Sequence, residues 1–335
     1  MIPLLYTPSG INFINPKLGW WNDDALIRHH ASMVPYGLIN DNMNFRKDYK
    51  IPEYHFLLGD SGGYQNLTLD KGFSPSKVIR WQEANCDAGM ILDFPPYPVL
   101  NRGRTADGVT TEKLEYCLER TLYNAQIAMD QRENPKFQLY GVIHGTEWEQ
   151  LEHWYKCLTK DYQFDGYAMA PKPTRNPIQV ARYALFALTH FDEPIHFFLC
   201  SSRDVIPVMI WMTKYNRLVT FDNSNYSCAA LNYYNHAFWR DIRKFYRISD
   251  TKPTTLKKLP CNCPPCTWIN EHGGPSIERT NLEFHNYGAL HYLYWYLEEI
   301  ETYQRLLDDE DMFFNMYVSL TGPKRLRLLR FSKRE

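Results

Sequence analysis

What most constrains the fold of this chain is an alternation, kept up from about residue 54 to residue 221, between short β-branched or aromatic runs and helical patterns. Tyr54 to Leu58, Gly89 to Leu92, Phe137 to Ile143, Phe164 to Met169, Ile195 to Cys200 and Arg217 to Phe221 read as strands. Helices are expected between them at Pro75 to Cys86, Thr111 to about Gln131, Glu147 to Leu158, Ile178 to Thr189 and Val205 to Tyr215. Ser74 is the expected N-cap of the first, with Pro75 at its first turn, and Leu114, Leu118, Leu122, Ala125 and Met129 share one face of the second. Ala25 to His29 and Tyr36 to Ile39 are further candidate strands. Repeated βα units without a Gly-x-Gly-x-x-Gly turn favour an α/β fold of the (β/α)8 TIM barrel type over a dinucleotide-binding sheet. In such barrels chemistry sits where strands end, and Asp60, Asp93, His144, Met169 and Asp222 all fall at or just after expected strand ends.

Beyond Asp222 the alternation stops. The expected organisation is a barrel over residues 1–250, a metal-binding subdomain over 251–290, and a C-terminal helical segment with a basic tail over 291–335, packed on the barrel. The last helical region is expected from Tyr287 to about Leu307. Glu298, Glu299, Glu301 and the run Asp308 to Asp311 read as a solvated acidic face. The formal net charge is −1, so contact with nucleic acid has to come from a local patch, and the tail Lys324 to Arg334 is the densest basic segment. With 24 Tyr, 18 Phe and 9 Trp, the chain is too aromatic for disorder over most of its length. The start does not read as a signal peptide and no run of 18 apolar residues occurs, so a cytoplasmic protein without membrane contact is expected.

Cys261-Asn262-Cys263-Pro264-Pro265-Cys266 places three soft thiolates within six residues. In a reducing compartment such a cluster signals metal, and one downstream histidine would complete a tetrahedral Cys3His zinc site. His272 lies in a flexible Glu-His-Gly-Gly turn. His285, at the start of the last helical region, is the favoured fourth ligand because it would staple the insertion to that helix. Four protein ligands leave no open position, so the Zn2+ is expected to be structural.

Gly59-Asp60-Ser61-Gly62-Gly63-Tyr64-Gln65 follows a strand, and its small residues let backbone amides approach a ligand. An aspartate there can serve as base or acceptor, although Asp-Ser-Gly-Gly is also ordinary turn chemistry. Asp93 and Asp222 can be read the same two ways. Three carboxylates around one barrel mouth suit glycosidic-bond chemistry, in which one attacks C1′ of the sugar and another handles protons.

These residues carry a resemblance. Asp60-Ser61-Gly62-Gly63-Tyr64-Gln65 resembles the Asp-Ser-Gly-Gly-Phe-Gln motif of the tRNA-guanine transglycosylase family (queuine and archaeosine tRNA-ribosyltransferases). Asp93 with Tyr97-Pro98 resembles its base-binding Asp and Pro-Tyr-Pro. Tyr140 to Gly145 resembles its Phe-Gly-Ile-Val-Gln-Gly, Phe164 to Ala168 its Phe-Asp-Gly-Tyr-Ala, and Phe221-Asp222 the Phe-Asp that carries its nucleophile. Cys261, Cys263, Cys266 and His285 resemble its zinc site, with a shorter gap than usual before the histidine. The order is collinear from about 55 to 290. The resemblance implies a barrel enzyme in which Asp222 is the nucleophile, Asp60 assists proton transfer, and Asp93, Ser61, Gly62, His144, Gly145 and Met169 hold the base.

The departures matter too. Asn223-Ser224-Asn225-Tyr226-Ser227 stands where the family has Cys-Val-Leu-Pro-Thr-Arg, His144 replaces a Gln, Pro95 a Cys, and Met169-Ala170-Pro171 follows Tyr-Ala in place of Gly-Gly. No RNA-binding PUA-type extension is expected. These features are more similar to the divergent branch of bacteriophage and bacterial DNA-modification systems that inserts 7-deazaguanines into DNA. The expected activity is therefore exchange of guanine for a preQ0- or preQ1-like base in nucleic acid, with DNA favoured and tRNA the alternative. In a phage setting its location would be the host cytoplasm. A non-catalytic nucleic-acid-binding partner subunit and a glycosylase that only removes the base are the rival readings, and self-association into a homodimer is left open.

Overall fold

A computed structural model describes residues 4–6, 25–39, 42–68, 72–96, 99–100, 104–105, 110–170, 177–198, 205–216, 218–222, 236–239, 244–247, 258–259, 261–274 and 281–321. Eight strands form one sheet: β1 Leu4–Tyr6, β2 Ala31–Pro35, β3 Phe56–Asp60, β4 Ala88–Met90, β5 Gln138–Ile143, β6 Gly166–Met169, β7 Ile195–Phe197 and β8 Val219–Asp222. Their order is β1-β8-β7-β6-β5-β4-β3-β2 and every pairing is parallel. β1 and β2, the two ends of that order, lie against each other, so the sheet is a nearly closed barrel.

Helices return the chain between strands: α1 Gly63–Thr68 and α2 Pro75–Asn85 after β3, α3 Thr111–Gln131 after β4, α4 Trp148–Thr159 after β5, α5 Pro177–His190 after β6, and α6 Ile206–Met212 after β7. A parallel strand pair needs such a crossover, which is why the sequence alternates as it does. The expected α3 agrees to the residue. Its Leu114, Leu118 and Ala125 are buried, with Leu122 and Met129 packed at the edge. Strands β4 to β6 are buried almost throughout, as expected for a sheet covered by helices on one side and filled by side chains on the other.

The start of the barrel differs from expectation. The second strand is Ala31–Pro35, lying between the two runs read as strands, and Tyr36–Ile39 is a helical turn. All five residues of that strand are buried, so it shows no alternation to mark it against its neighbours. β1 was not anticipated at all; three residues are too few to show a period.

After the barrel come α7 Pro264–Glu271, α8 Asn281–Arg305 and α9 Glu310–Thr321. α8 packs on α6, and Phe313 of α9 sits between Trp211 and Tyr303. Asp308 to Asp311 are exposed as expected, but Glu299 is buried, because the inner face of α8 runs through it. The basic tail, Cys200 and Asn223 to Ser227 lie outside the described residues.

Candidate active site and metal centre

Asp60 is the last residue of β3, Asp93 lies three residues beyond β4, His144 directly follows β5, Met169 ends β6, and Asp222 ends β8. All therefore sit at the C-terminal mouth of the barrel. Ser61, Gly62, Gly63, Asp93, His144, Gly145, Met169 and Asp222 are buried there, and Asp60 is half-buried.

Hydrogen bonds tie four strand ends together. The Ser61 hydroxyl donates to Asp93 Oδ1 at 2.9 Å. His144 Nε2 lies 2.8 Å from Asp93 Oδ2, and its Nδ1 3.1 Å from the carbonyl oxygen of Ala170. A carbonyl only accepts, so Nδ1 carries a proton, and one further proton is shared between Nε2 and the Asp93 carboxylate.

The helices outside hold these groups in place. On α3, Asn124 Nδ2 donates to the Leu92 carbonyl at 2.8 Å and Thr121 Oγ1 accepts from the Phe94 amide at 3.0 Å, so the residue before Asp93 and the one after are both anchored. On α4, Trp154 Nε1 donates to the Val142 carbonyl at 2.9 Å and its ring meets His144 edge-on at 5.0 Å. On α2, Gln82 Nε2 donates to both Gly59 and Met90 carbonyls at 3.1 Å, linking β3 to β4.

Asp60 Oδ1 accepts from the Gly62 amide at 3.1 Å, a tight turn in which Gly62 takes φ +75°, a conformation that favours glycine. Burial pushes the Asp60 carboxyl up to about 7, with the Gly62 amide lowering it and the nearby Asp93 charge raising it. Asp222 Oδ1 lies 3.8 Å from Nε2 of His196, a buried histidine in the middle of β7 that the sequence reading did not single out.

Asp165, in the Phe-Asp-Gly-Tyr-Ala segment, pairs with Arg132 at 2.7 Å and accepts the Leu139 amide at 2.9 Å. That residue braces β5 at its start, away from the mouth.

Sγ of Cys261, Cys263 and Cys266 and Nδ1 of His291 lie within 4.8 Å of one another, and all four residues are buried. The three S···N separations are 3.7, 3.2 and 3.3 Å. Tetrahedral zinc with ordinary Zn–S and Zn–N lengths would set them at about 3.5 Å, so the cluster fits a metal ion of that kind. The neighbouring thiols of Cys263 and Cys266 pull the Cys261 thiol well below its ordinary range, towards the thiolate that a metal needs. The histidine that stands with the three cysteines is His291, where His285 was the expected partner. Positions six apart on an α-helix sit about 120° apart around the axis, so one register of α8 cannot present both histidines to the same three sulfurs; the register observed presents His291. The His285 side chain lies outside the described residues. His272 is exposed, its Nδ1 2.8 Å from the Trp268 carbonyl and its ring stacked on Trp268.

No protein-family model matches the chain. It is 26% identical over 296 residues, 82% of its length, to a tRNA-guanine(15) transglycosylase of Methanococcus aeolicus. It is 27% identical over 155 residues, 44% of its length, to a queuine tRNA-ribosyltransferase of Geobacillus kaustophilus. The chain spans less than half the length of each, 42% and 38%.

Proposed function

We propose that this chain, similar over most of its length to a tRNA-guanine transglycosylase, is itself a pentosyltransferase that exchanges guanine for a 7-deazaguanine in nucleic acid. The observation that supports this best is the convergence of Asp60, Asp93 and Asp222 on the C-terminal mouth of one parallel barrel, with Asp93 held by Ser61 and His144.

Asp222 attacks C1′ of a guanosine flipped into the mouth, and guanine leaves from the opposite face. Asp93 accepts hydrogen bonds from guanine N1–H and its amino group, while His144, Gly145, Met169, Ser61 and Gly62 shape the rest of the pocket. Asp60, with a carboxyl that titrates near neutrality, passes a proton to the departing base and takes one from N9 of the incoming base. The second base attacks from the face that guanine left, so two displacements preserve the configuration at C1′. Zinc held by Cys261, Cys263, Cys266 and His291 serves as a structural clamp.

DNA is the favoured substrate, on the strength of Asn223 to Ser227 standing where the family's nucleic-acid segment differs; the names of both relatives keep tRNA as the second reading. The test is a denaturing gel of enzyme with guanine-containing duplex DNA or with tRNA, and no incoming base. A slower band that Asp222→Ala lacks is expected with DNA. A band with tRNA alone would return the substrate to RNA, and one that persists in Asp222→Ala would move the nucleophile elsewhere.

A further inference from the structure

Among the buried titratable side chains of the described residues that the exchange reaction does not use, His196 stands beside Asp222. His196 lies in the middle of β7, fully buried, in register with Thr220 of β8. Residues two apart on a strand share a face, so Thr220 and Asp222 point the same way and His196 lies beside them. Its Nδ1 is 2.9 Å from Thr220 Oγ1, its Nε2 is 3.8 Å from Asp222 Oδ1, and the Phe198 ring closes over it edge-on at 4.9 Å.

Burial pushes the imidazole down to about 3, so the ring is neutral and carries one N–H. Two tautomers are available. With the proton on Nδ1, the lone pair of Nε2 would face the carboxylate oxygen. With the proton on Nε2, the Thr220 hydroxyl donates to Nδ1 and the ring N–H has Asp222 Oδ1 3.8 Å away, a contact that becomes a hydrogen bond only on shortening by about 1 Å. The hydroxyl's other acceptor, the Ile195 carbonyl, is more distant at 3.4 Å, so turning towards the ring gives it the shorter bond.

We infer that His196 is a positioning residue for Asp222: oriented by Thr220, it presents a neutral N–H to one carboxylate oxygen and leaves the other for C1′. This rests on the reading of Asp222 as nucleophile. In the first displacement the C1′–N9 bond breaks, its electron pair leaves on guanine, which takes up a proton at N9, and a C1′–O bond to Asp222 forms. In the second, the incoming base loses its N9 proton, its electron pair forms the new C1′–N bond, and Asp222 departs as carboxylate. A neutral donor suits both directions. It orients the carboxylate for attack without the standing positive charge that would blunt it, and it stabilises the charge that returns to the oxygen in the second step.

The experiment is single-turnover adduct formation on the gel described above, with DNA and tRNA in parallel, for wild type, Asp222→Ala, His196→Phe, His196→Gln and Thr220→Val. His196→Phe keeps ring volume without a donor and should slow the adduct about 10- to 100-fold, the worth of one hydrogen bond to a charged group, with guanine affinity unchanged. His196→Gln returns an N–H and should recover most of that loss, which filling the space alone would not do. Thr220→Val, nearly isosteric, should slow the reaction less. Should the Phe variant not fold, the 15N-histidine spectrum of the wild-type protein is an independent measure: the proton belongs on Nε2 of His196. Wild-type adduct with no slowing in His196→Phe, a Gln variant as slow as Phe, or a proton found on Nδ1 would overturn the inference and leave the nucleophile reading standing. If the wild-type protein gives no band on either nucleic acid, the nucleophile reading falls and takes this inference with it.

Discussion

Asp60 and Asp93, at the ends of the neighbouring strands β3 and β4, differ in chemistry. Asp93 is held by donors on both oxygens, which keeps it an acceptor, whereas Asp60 has one backbone amide and a carboxyl raised by burial to about 7. The folded value lies above the ordinary 3.8, so Asp60 contributes stability that is fully present below about pH 4 and is lost as pH rises through about 7. Asp60→Asn cannot ionise. Relative to wild type it should gain about 1–3 kcal/mol between those pH values, read as a growing difference in urea midpoint. A pH-independent difference would contradict the burial of this carboxyl. The same variant should bind guanine but fail to complete exchange, while Asp93→Ala should lose about 100-fold or more in base affinity, since two hydrogen bonds to a charged acceptor disappear.

At the scale of elements, the site depends on close approaches that single residue types permit. A Cβ on Gly63 would overlap both the carboxylate and the carbonyl oxygen of Asp93, so the start of α1 can pass under the β4 loop only as glycine. Gly63→Ala should displace Asp93 and weaken guanine binding at least tenfold, with metal content unchanged; calorimetric titration with free guanine would show it. The cluster at Cys261, Cys263, Cys266 and His291 makes a comparable tie between α7 and α8. Cys263→Ser and His291→Ala should each lower bound zinc and melting temperature together, while His285→Ala should leave about one equivalent in place. Elemental analysis after exhaustive dialysis decides between the two histidines.

Across the whole molecule, the barrel closes through a strand of only three residues. β1 pairs with β8 so that Tyr6 lies beside Asp222, and its other edge meets β2. Removing residues 1–10 would expose the backbone edge of β8 at the strand that carries Asp222. Adduct formation should fall more than zinc content does, because the cluster draws its residues from 261–266 and α8 and none from β1 or β8. Single-turnover rate and metal stoichiometry of the truncated protein check this. No helix among the described residues is long and apolar enough to cross a membrane.

The βα alternation, the placing of aspartates at strand ends and the three cysteines of the candidate metal cluster were legible in the chain alone, because each is written in local spacing: a strand period, a turn after a strand, three cysteines within six residues. The apolar face Leu114 to Met129 marked α3 from Thr111 to about Gln131, and the structure adds that the Thr110 hydroxyl accepts the Lys113 amide at its start. That Ala31–Pro35 is the second strand emerges with the assembled barrel, since a run buried on both faces has no alternation to read. Tertiary packing placed His291 beside the three cysteines through the rotation of α8, which is set by packing against α6 and α7 and not by distance along the chain from Cys266. It also brought His196 beside Asp222. A histidine inside an apolar strand carries no signal of its partner, because that partner comes from the register between two strands, and register is fixed by contacts that the sequence of either strand alone does not contain.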